Sequence, residues 1–409
     1  MYSSLQSCRV SGSENLTTVL SLGTQYLTGV FPEFPGQNLT KGPLDLVWCP
    51  DSGLLQLGHS YSSEEMYGEN YGYRSGLNKS MVNHLSRKIN ILEKFFPVPT
   101  NGLVLDIGSN DATSLRAYKT RDIKRIGIDP TIKKFIQYYS DNITPVCNFF
   151  DKKSFWENSS QTADIITSIS MFYDLEDPIV FAKDIEGCLS PDGIWHLEQS
   201  YMPLMLRTNS YDTICHEHLE YYSLAVLENI LDSAGLRILD VQMNSINGGS
   251  FAVTACKKTA KWLGNSTVLG WARRNENSMS LHTPKPYRDF ESRVFQHRQD
   301  LLTLLRDIKD SGKTILGYGA STKGNVLLQF CNIDSSIIDA IVEINPYKFG
   351  RFTPGTHIPI ISEDQALNYS ADYYLLLPWH FKDGIISNES EFLLRGGKFI
   401  IPFPEIEIV

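Results

Sequence analysis

Residues Cys215 to Tyr222, CHEHLEYY, crowd a thiol, two imidazoles, two carboxylates and two phenols into one short stretch. Three kinds of chemistry use such side chains: metal binding, thiol nucleophilic attack and general acid–base catalysis. A shared metal is geometrically awkward, because His216 and His218 are two positions apart and face opposite ways on a strand or turn. Zincin-type sites space their histidines four apart on a helix. A thiol–imidazole dyad is assembled from distant segments, whereas Cys215 and His216 are adjacent. What remains is a histidine general base oriented by a neighbouring carboxylate. The alternative is a pair of hydrogen-bonded structural histidines. A position on a loop beyond the carboxyl end of a fifth parallel strand favours the base.

Two glycine turns offer partners for such a base. VLDIGSNDAT runs from a strand through Gly108 into a helix, a turn whose backbone N–H groups can face a ligand. It has Gly108 and Ala112 rather than the three glycines of a dinucleotide loop. The following strand, RIGIDP, ends at Asp129, 21 residues beyond Gly108, where a carboxylate can accept hydrogen bonds from ribose hydroxyls. The alternative is a plain turn with a strand-end cap. The second turn, LGYGASTKGN, keeps Gly317 and Gly319 of the dinucleotide pattern but has Thr322 at its third glycine. Lys323 there suits phosphate recognition as a point charge. NPYKFGRFTPGTHIP adds Lys348 and Arg351, either as a solvated loop or as a holder of a second anionic group.

Cys8 and Cys49 each open a C-x-x-S step, CRVS and CPDS. A closed zinc site needs about four soft ligands. Ser11 and Ser52 occupy the second positions and neutral serine is a poor ligand, so no metal is expected.

The elements that must carry these motifs follow from periodicity. SMVNHLSRKINILEKFF has Met81, Val82, Leu85, Ile89, Ile91, Leu92 and Phe95 at helical spacing. LVLDIG, RIGID, TPVCNFF, DIITSIS and GIWHLEQ then alternate with helical stretches, which predicts a mainly parallel sheet. LRILDVQ and GSFAVTAC read as a closing antiparallel pair. A long helix follows, with Phe290, Val294, Leu301, Leu305 and Ile308 on one face, stopping at Gly312. It leads into a second α/β unit built from TILGYGAS, IDAIVE, ADYYLLLPW and GKFIIPF. The first ~80 residues, rich in Gly, Pro, Ser and Tyr, predict a small loop-rich lobe.

The bulk properties narrow the function. With 409 residues, two or three domains are expected. A net charge of −9 without basic runs predicts no nucleic-acid polymer and no membrane surface as partner. No run of about 18 apolar residues exists to span a bilayer. The N-terminus lacks a basic start followed by an apolar core, and the seven cysteines read as reduced thiols. The expected location is the cytoplasm.

Taken in order, these motifs resemble those of the sugar C-methyltransferase family, which methylates nucleotide-linked 4-keto-6-deoxyhexoses at C-3. The resemblance spans nearly the whole chain: CRVSGS, LDLVWCPDSGLLQLG, YGYRSGLNKSM, VLDIGSNDAT, DTICHEHLEYYS, GGS at 248–250, GYGASTKGN and GRFTPGTHIP. It implies an α/β protein in three parts. These are an N-terminal lobe of the zinc-binding type (1–79), a class I S-adenosylmethionine-dependent methyltransferase domain with a seven-stranded Rossmann-like sheet (80–285), and a C-terminal Rossmann-like domain for the nucleotide sugar (286–409).

The resemblance also distributes roles. His218 is the catalytic histidine, with Glu217 fixing its tautomer, and Tyr71 and Tyr73 close over the site. Tyr71, Tyr73 or His216 would donate to a developing oxyanion. Cofactor contacts fall on Asp106, Gly108, Ser109, Asn110, Asp129, Pro130 and Ser168. Substrate contacts fall on Asn78, Gly319, Ala320, Ser321, Lys323, Gly324, Asn325, Glu343, Lys348 and Arg351. The implied partner is a nucleoside-diphosphate-linked keto sugar, and the expected state is a monomer or weak homodimer. The chain departs from the pattern at Ser11 and Ser52, at Cys215 before HEH where tyrosine is usual, at Asn247 before GGS where histidine is usual, at Ala112 for a second glycine, and in SISMFYDLEDP, which lacks a histidine. A nicotinamide-dependent sugar oxidoreductase, an O- or N-methyltransferase and a nucleotide-sugar-binding scaffold are the competing readings.

Overall fold

The computed structural model describes residues 2–62, 65–66 and 73–409. Its centre is a seven-stranded sheet in the order Leu236–Asn244, Ser250–Lys257, Leu189–Ser200, Ala163–Ile169, Leu103–Ile107, Lys124–Ile128 and Ile143–Val146. The last five of these run parallel, and the first two close the edge antiparallel. This is the class I methyltransferase arrangement expected from the sequence. Every residue of Leu103–Ile107 is buried, because a parallel strand covered on both faces needs apolar side chains in both directions. Leu103, Leu105 and Ile107 pack with Ile126, Ile128 and Trp195 on one face. Val104, Ile165 and Ile194 meet Ile89 and Leu92 of the helix Lys79–Phe95 on the other. Met81 and Leu85 of that helix are buried as well, while Phe95 is exposed.

The second α/β unit is a six-stranded sheet, ordered Ile360–Ser362, Ile341–Glu343, Ile315–Tyr318, Tyr373–Leu376, Lys398–Ile401 and Glu407–Ile408. Its strands are parallel except the last. The helix Lys285–Asp310 buries Phe290, Val294, Leu301, Leu305 and Ile308, and Gly312 beyond it takes φ +79°.

The N-terminal lobe contains more strand than its composition predicts. Thr17–Tyr26, Lys41–Trp48 and Leu55–Leu57 form an antiparallel sheet. Its apolar residues join the core of the C-terminal unit, with Trp48 against Tyr287 at 5.1 Å between ring centroids. The fourth strand is Glu220–Tyr221, which leaves the central domain to pair with Gln56 and Leu55. The candidate motif is thereby sewn into the lobe. Among the described residues no helix is long and apolar enough to cross a membrane.

Candidate active site

The carboxyl ends of the central strands converge on Gly108. Its φ is +71°, and a side chain there would lie 3.2 Å from Met171 Cγ. Asn110 and Ala112 also take positive φ, and the helix that follows, Thr113–Arg116, is a single turn. The helix N-terminus expected at this turn is therefore minor, and hydrogen bonds to carboxylates brace the loop instead. Asn110 N donates to Asp129 Oδ2 at 2.9 Å, and Thr131 N and Oγ1 donate to Oδ1 at 2.6 and 2.5 Å. Among the described residues Oδ2 accepts this one hydrogen bond, from Asn110. Pro130 follows at the rim, its carbonyl accepting from Cys147 at 3.4 Å.

Asp106 takes Thr167 Oγ1 at 2.5 Å, and burial raises its carboxyl to about 7, with Asp129 adding to the rise. Ser109 is spoken for by Tyr139 OH at 2.7 Å. Ser168 points to the opposite face and accepts from Trp195 Nε1 at 2.8 Å, so its hydroxyl belongs to the core rather than to a cofactor site. The carbonyl of Tyr73 accepts from Asn110 Nδ2 at 3.1 Å, and its side chain is half exposed. Tyr71 lies outside the described residues. Asn78 caps its helix through Ser80 N at 2.9 Å.

The segment Cys215–Tyr222 separates its two histidines as period-two geometry requires. His216 is fully buried, its ring edge-on to Tyr61 at 4.6 Å, and burial lowers it to about 4. This places it in the lobe interface, away from an oxyanion role. His218 faces the other way, over Tyr173 at 4.2 Å, with Nδ1 2.8 Å from Thr213 O. A carbonyl only accepts, so Nδ1 carries the proton and Nε2 carries the lone pair. Nε2 has no hydrogen-bond partner among the described residues. Burial, with the Lys323 cation second, lowers His218 to about 3, which keeps it neutral. Glu217 does not orient it. A Cβ on Gly29 would fall 2.6 Å from Glu217 Oε1, so that carboxylate is turned to the N-terminal lobe, and burial raises its pKa. The tautomer is set by a backbone carbonyl. Cys215 is buried and its thiol is pushed up by burial, which leaves it unreactive.

At the second turn Gly319 takes φ +83°, and Ser321 caps the helix Thr322–Cys331 through Gly324 N at 2.9 Å. Ala320 N donates to Glu343 Oε2 at 3.0 Å, and Lys348 Nζ donates to Ala320 O at 2.7 Å. Gly324 allows the helix to approach Leu377, whose Cβ would be 2.7 Å from an added side chain. Two residues assigned to substrate serve other ends. Asn325 Nδ2 donates to Thr28 O at 2.7 Å, and Arg351 Nη1 donates to Phe31 O at 3.0 Å with Glu33 3.3 Å from Nη2. Both clamp the lobe, because its sheet shares a core with this unit. Lys323 reaches the central domain, where Nζ donates to Asn247 O at 2.6 Å.

Sequence reasoning missed several groups at this junction. Asp212, 1% exposed, accepts from Trp379 Nε1 at 2.8 Å on Oδ2, and its Oδ1 has no partner. His380 Nδ1 is buried and unpartnered as well, and burial lowers the ring to about 3. Trp379 and His380 follow the apolar run YYLLL at a parallel strand's carboxyl end, a place that could have flagged them. At the end of the central sheet Glu198 binds His84 at 2.5 Å and Lys88 at 2.8 Å. The strand-end rule also applies to it.

In the lobe, Cys8 Sγ lies 3.1 Å from Ser52 Oγ, and Ser11 Oγ lies 3.6 Å from Cys49 Sγ. Two thiols, each hydrogen-bonded to a neutral hydroxyl, do not fit a tetrahedral zinc site. Among the described residues no group of three or more His, Cys, Asp or Glu is placed to hold a metal ion.

Family models described as "Methyltransferase domain" and "C-methyltransferase C-terminal domain" match residues 82–241 and 245–404. One described as "Putative zinc binding domain" matches 8–67. The C-methyltransferase NovU of Streptomyces niveus is 30% identical over 409 residues, covering 99% of this chain and 97% of its own. A tRNA U34 carboxymethyltransferase of Campylobacter lari is 29% identical over 119 residues, 28% of this chain and 41% of its own. Among solved structures, magnesium protoporphyrin IX methyltransferase of Synechocystis PCC 6803 with bound SAH aligns with 46% of this chain and 91% of its own. The identity is 14% and the TM-score 0.35, too low to argue from.

Proposed function

This chain belongs to the C-methyltransferase family and is S-adenosylmethionine-dependent, and from that premise we propose that it methylates C-3 of a nucleotide-linked 4-keto-6-deoxy sugar. The observation that carries the reading is the neutral His218, fixed through Nδ1, with no partner on Nε2 among the described residues. A ketone at C-4 acidifies the C-3 proton, so a positioned base is the group such an acceptor requires.

The residues at Gly108 fit the methyl donor: a turn at positive φ with no side chain of its own, buried Asp106 on the strand before it, and Asp129 on the next strand with one hydrogen bond accepted on Oδ2 among the described residues. When bound, S-adenosylmethionine supplies an electrophilic sulfonium methyl. His218 takes the proton from carbon and holds it at Nε2, while Thr213 keeps the ring aligned. Gly319, Ala320, Ser321 and Lys348 would bind the diphosphate, and Glu343 would meet a ribose hydroxyl, the same division of labour as in dinucleotide folds. Binding by two units around one base supplies positioning.

Incubation with labelled S-adenosylmethionine and a panel of TDP-, GDP- and CDP-linked 4-keto-6-deoxy sugars tests this. The expected product carries the label on carbon 3 of one of them, located by NMR. Label on an oxygen or nitrogen, or transfer to none of the panel, overturns the reading.

A further inference from the structure

Lys323 and His218 are the two ends of one chain of contacts. The Lys323 ammonium leaves its own helix, Thr322–Cys331, and donates to the carbonyl of Asn247. Asn247 Nδ2 in turn donates to Ser170 Oγ at 3.3 Å, and Ser170 precedes Met171, the residue against Gly108. Gly248, next to Asn247, packs under Trp379, where an added side chain would fall 2.8 Å from Cζ2. Trp379 Nε1 holds Asp212, and the adjacent Thr213 holds His218. The cation thus reaches from its own helix to the Asn247 segment, which touches both the side of the Gly108 turn and the Trp379–Asp212 pair beside the carbonyl that holds His218.

The charges around it agree with that placement. Its ammonium bears on His218, His380, Asp212 and Cys215, and burial lowers its own pKa while Asp212 opposes the fall. The diphosphate has a better cation in Lys348, which reaches the glycine loop from the next βα connection, bonded to Ala320 O and 3.5 Å from Glu343.

We propose that Lys323 is a catalytic residue that receives the negative charge developing on the keto oxygen, rather than an anchor for the diphosphate. The assignment rests on the reading above, that the acceptor is a carbon acid. In the step, the C-3–H bond breaks and its proton passes to His218 Nε2. The C–H electron pair becomes the C-3–C-4 π bond, and the carbonyl π pair moves onto the C-4 oxygen. That oxygen, now anionic, pairs with the Lys323 ammonium. A cation held there in advance costs no reorganisation as the charge appears.

The test follows proton loss alone, without methyl donor. The full chain is incubated in D2O with the TDP-, GDP- and CDP-linked 4-keto-6-deoxy sugars, and exchange at C-3 is read by NMR. Binding of TDP, GDP and CDP is measured in parallel. Lys323→Met should slow exchange by about 10²–10³-fold, with nucleoside-diphosphate affinity changed by less than about threefold. Lys323→Arg should recover part of the exchange, because it restores the charge. Unchanged S-adenosylhomocysteine binding reports that each variant is folded, and Lys323→Gln stands in if the Met variant is not. Exchange within about threefold of wild type, or nucleotide binding weakened by about tenfold or more, overturns the assignment. If the wild-type protein exchanges no proton with any sugar, the carbon-acid reading itself falls, a result distinct from failure of Lys323.

Discussion

Nδ1 of His218 lies 2.8 Å from the carbonyl oxygen of Thr213, five residues earlier in the chain. A backbone carbonyl only accepts, so it holds the neutral imidazole in the tautomer with its proton on Nδ1. Removal of the base should therefore be costly and specific. His218→Ala is expected to lower turnover by about 10²–10⁴-fold, with S-adenosylhomocysteine affinity unchanged because the cofactor turn is built from other strands. Substantial retained methylation in the variant would remove His218 from the mechanism.

Glu217→Gln should separate the carbonyl from the carboxylate as orienting group. Glu217 faces Gly29 rather than His218, so the substitution is expected to leave turnover within about one order of magnitude of wild type. A loss comparable to that of His218→Ala, of about 10²-fold or more, would restore Glu217 as the partner of the base.

The pH dependence has a definite sign. The neutral imidazole is the active form, and burial lowers its pKa from the ordinary ~6.5 to about 3. The base therefore stays available as pH falls through the usual histidine range. The profile of kcat/KM, which reports the free enzyme, should be flat from neutrality down to about pH 5. An acid limb centred near 6.5 would show an imidazole in an ordinary solvated setting.

Glu198 offers a stability test with the opposite chemistry. Burial opposes its ionisation, yet His84 and Lys88 together draw it down to about 2. A depressed carboxyl contributes stability that is present above its unfolded value, near 4.3, and is lost as pH falls toward 2. Glu198→Gln leaves Lys88, itself 7% exposed, without its counter-charge. Urea unfolding at neutral pH should show a loss of roughly 3–5 kcal/mol, and the gap from wild type should shrink between pH 4.5 and 3. A gap that is absent at neutral pH would mean that the pair is solvated.

Much of this architecture was legible because long apolar runs and helical periods leave few alternatives. Leu103–Ile107, Ala163–Ile169 and the helix Lys285–Asp310 fall where the pattern puts them. Thr17–Tyr26 was not legible, since register shifts on either side of Leu20 and Ser21, with Gly23 at φ +75°, interrupt its alternation. Ile360–Ser362 and Glu407–Ile408 are too short to show a period. At the site, residue type pointed to His218 and the two glycine turns, but direction was lost. Glu217, Asn325 and Arg351 point to the N-terminal lobe, a consequence of a shared core that one-dimensional spacing does not express. Asp212 and Trp379 are 167 residues apart, and only the fold brings them together.

The N-terminal lobe gives the last prediction. Each serine hydroxyl sits within hydrogen-bonding reach of a thiol, Ser52 against Cys8 and Ser11 against Cys49, with both cysteines buried. The lobe also carries a four-stranded sheet and a shared apolar core, so it has sources of stability that need no ion. The melting temperature of the purified protein should be unaffected by EDTA. Ser11→Cys combined with Ser52→Cys supplies four thiolates from two C-x-x-C steps, the set zinc requires. That double variant should take up one zinc ion per chain and melt at a higher temperature, with chelation reversing the gain, because binding to the folded lobe adds directly to its stability. Stoichiometric zinc in the wild-type protein, or a fall in its melting temperature on chelation, would show that two thiols and two hydroxyls suffice to hold the metal.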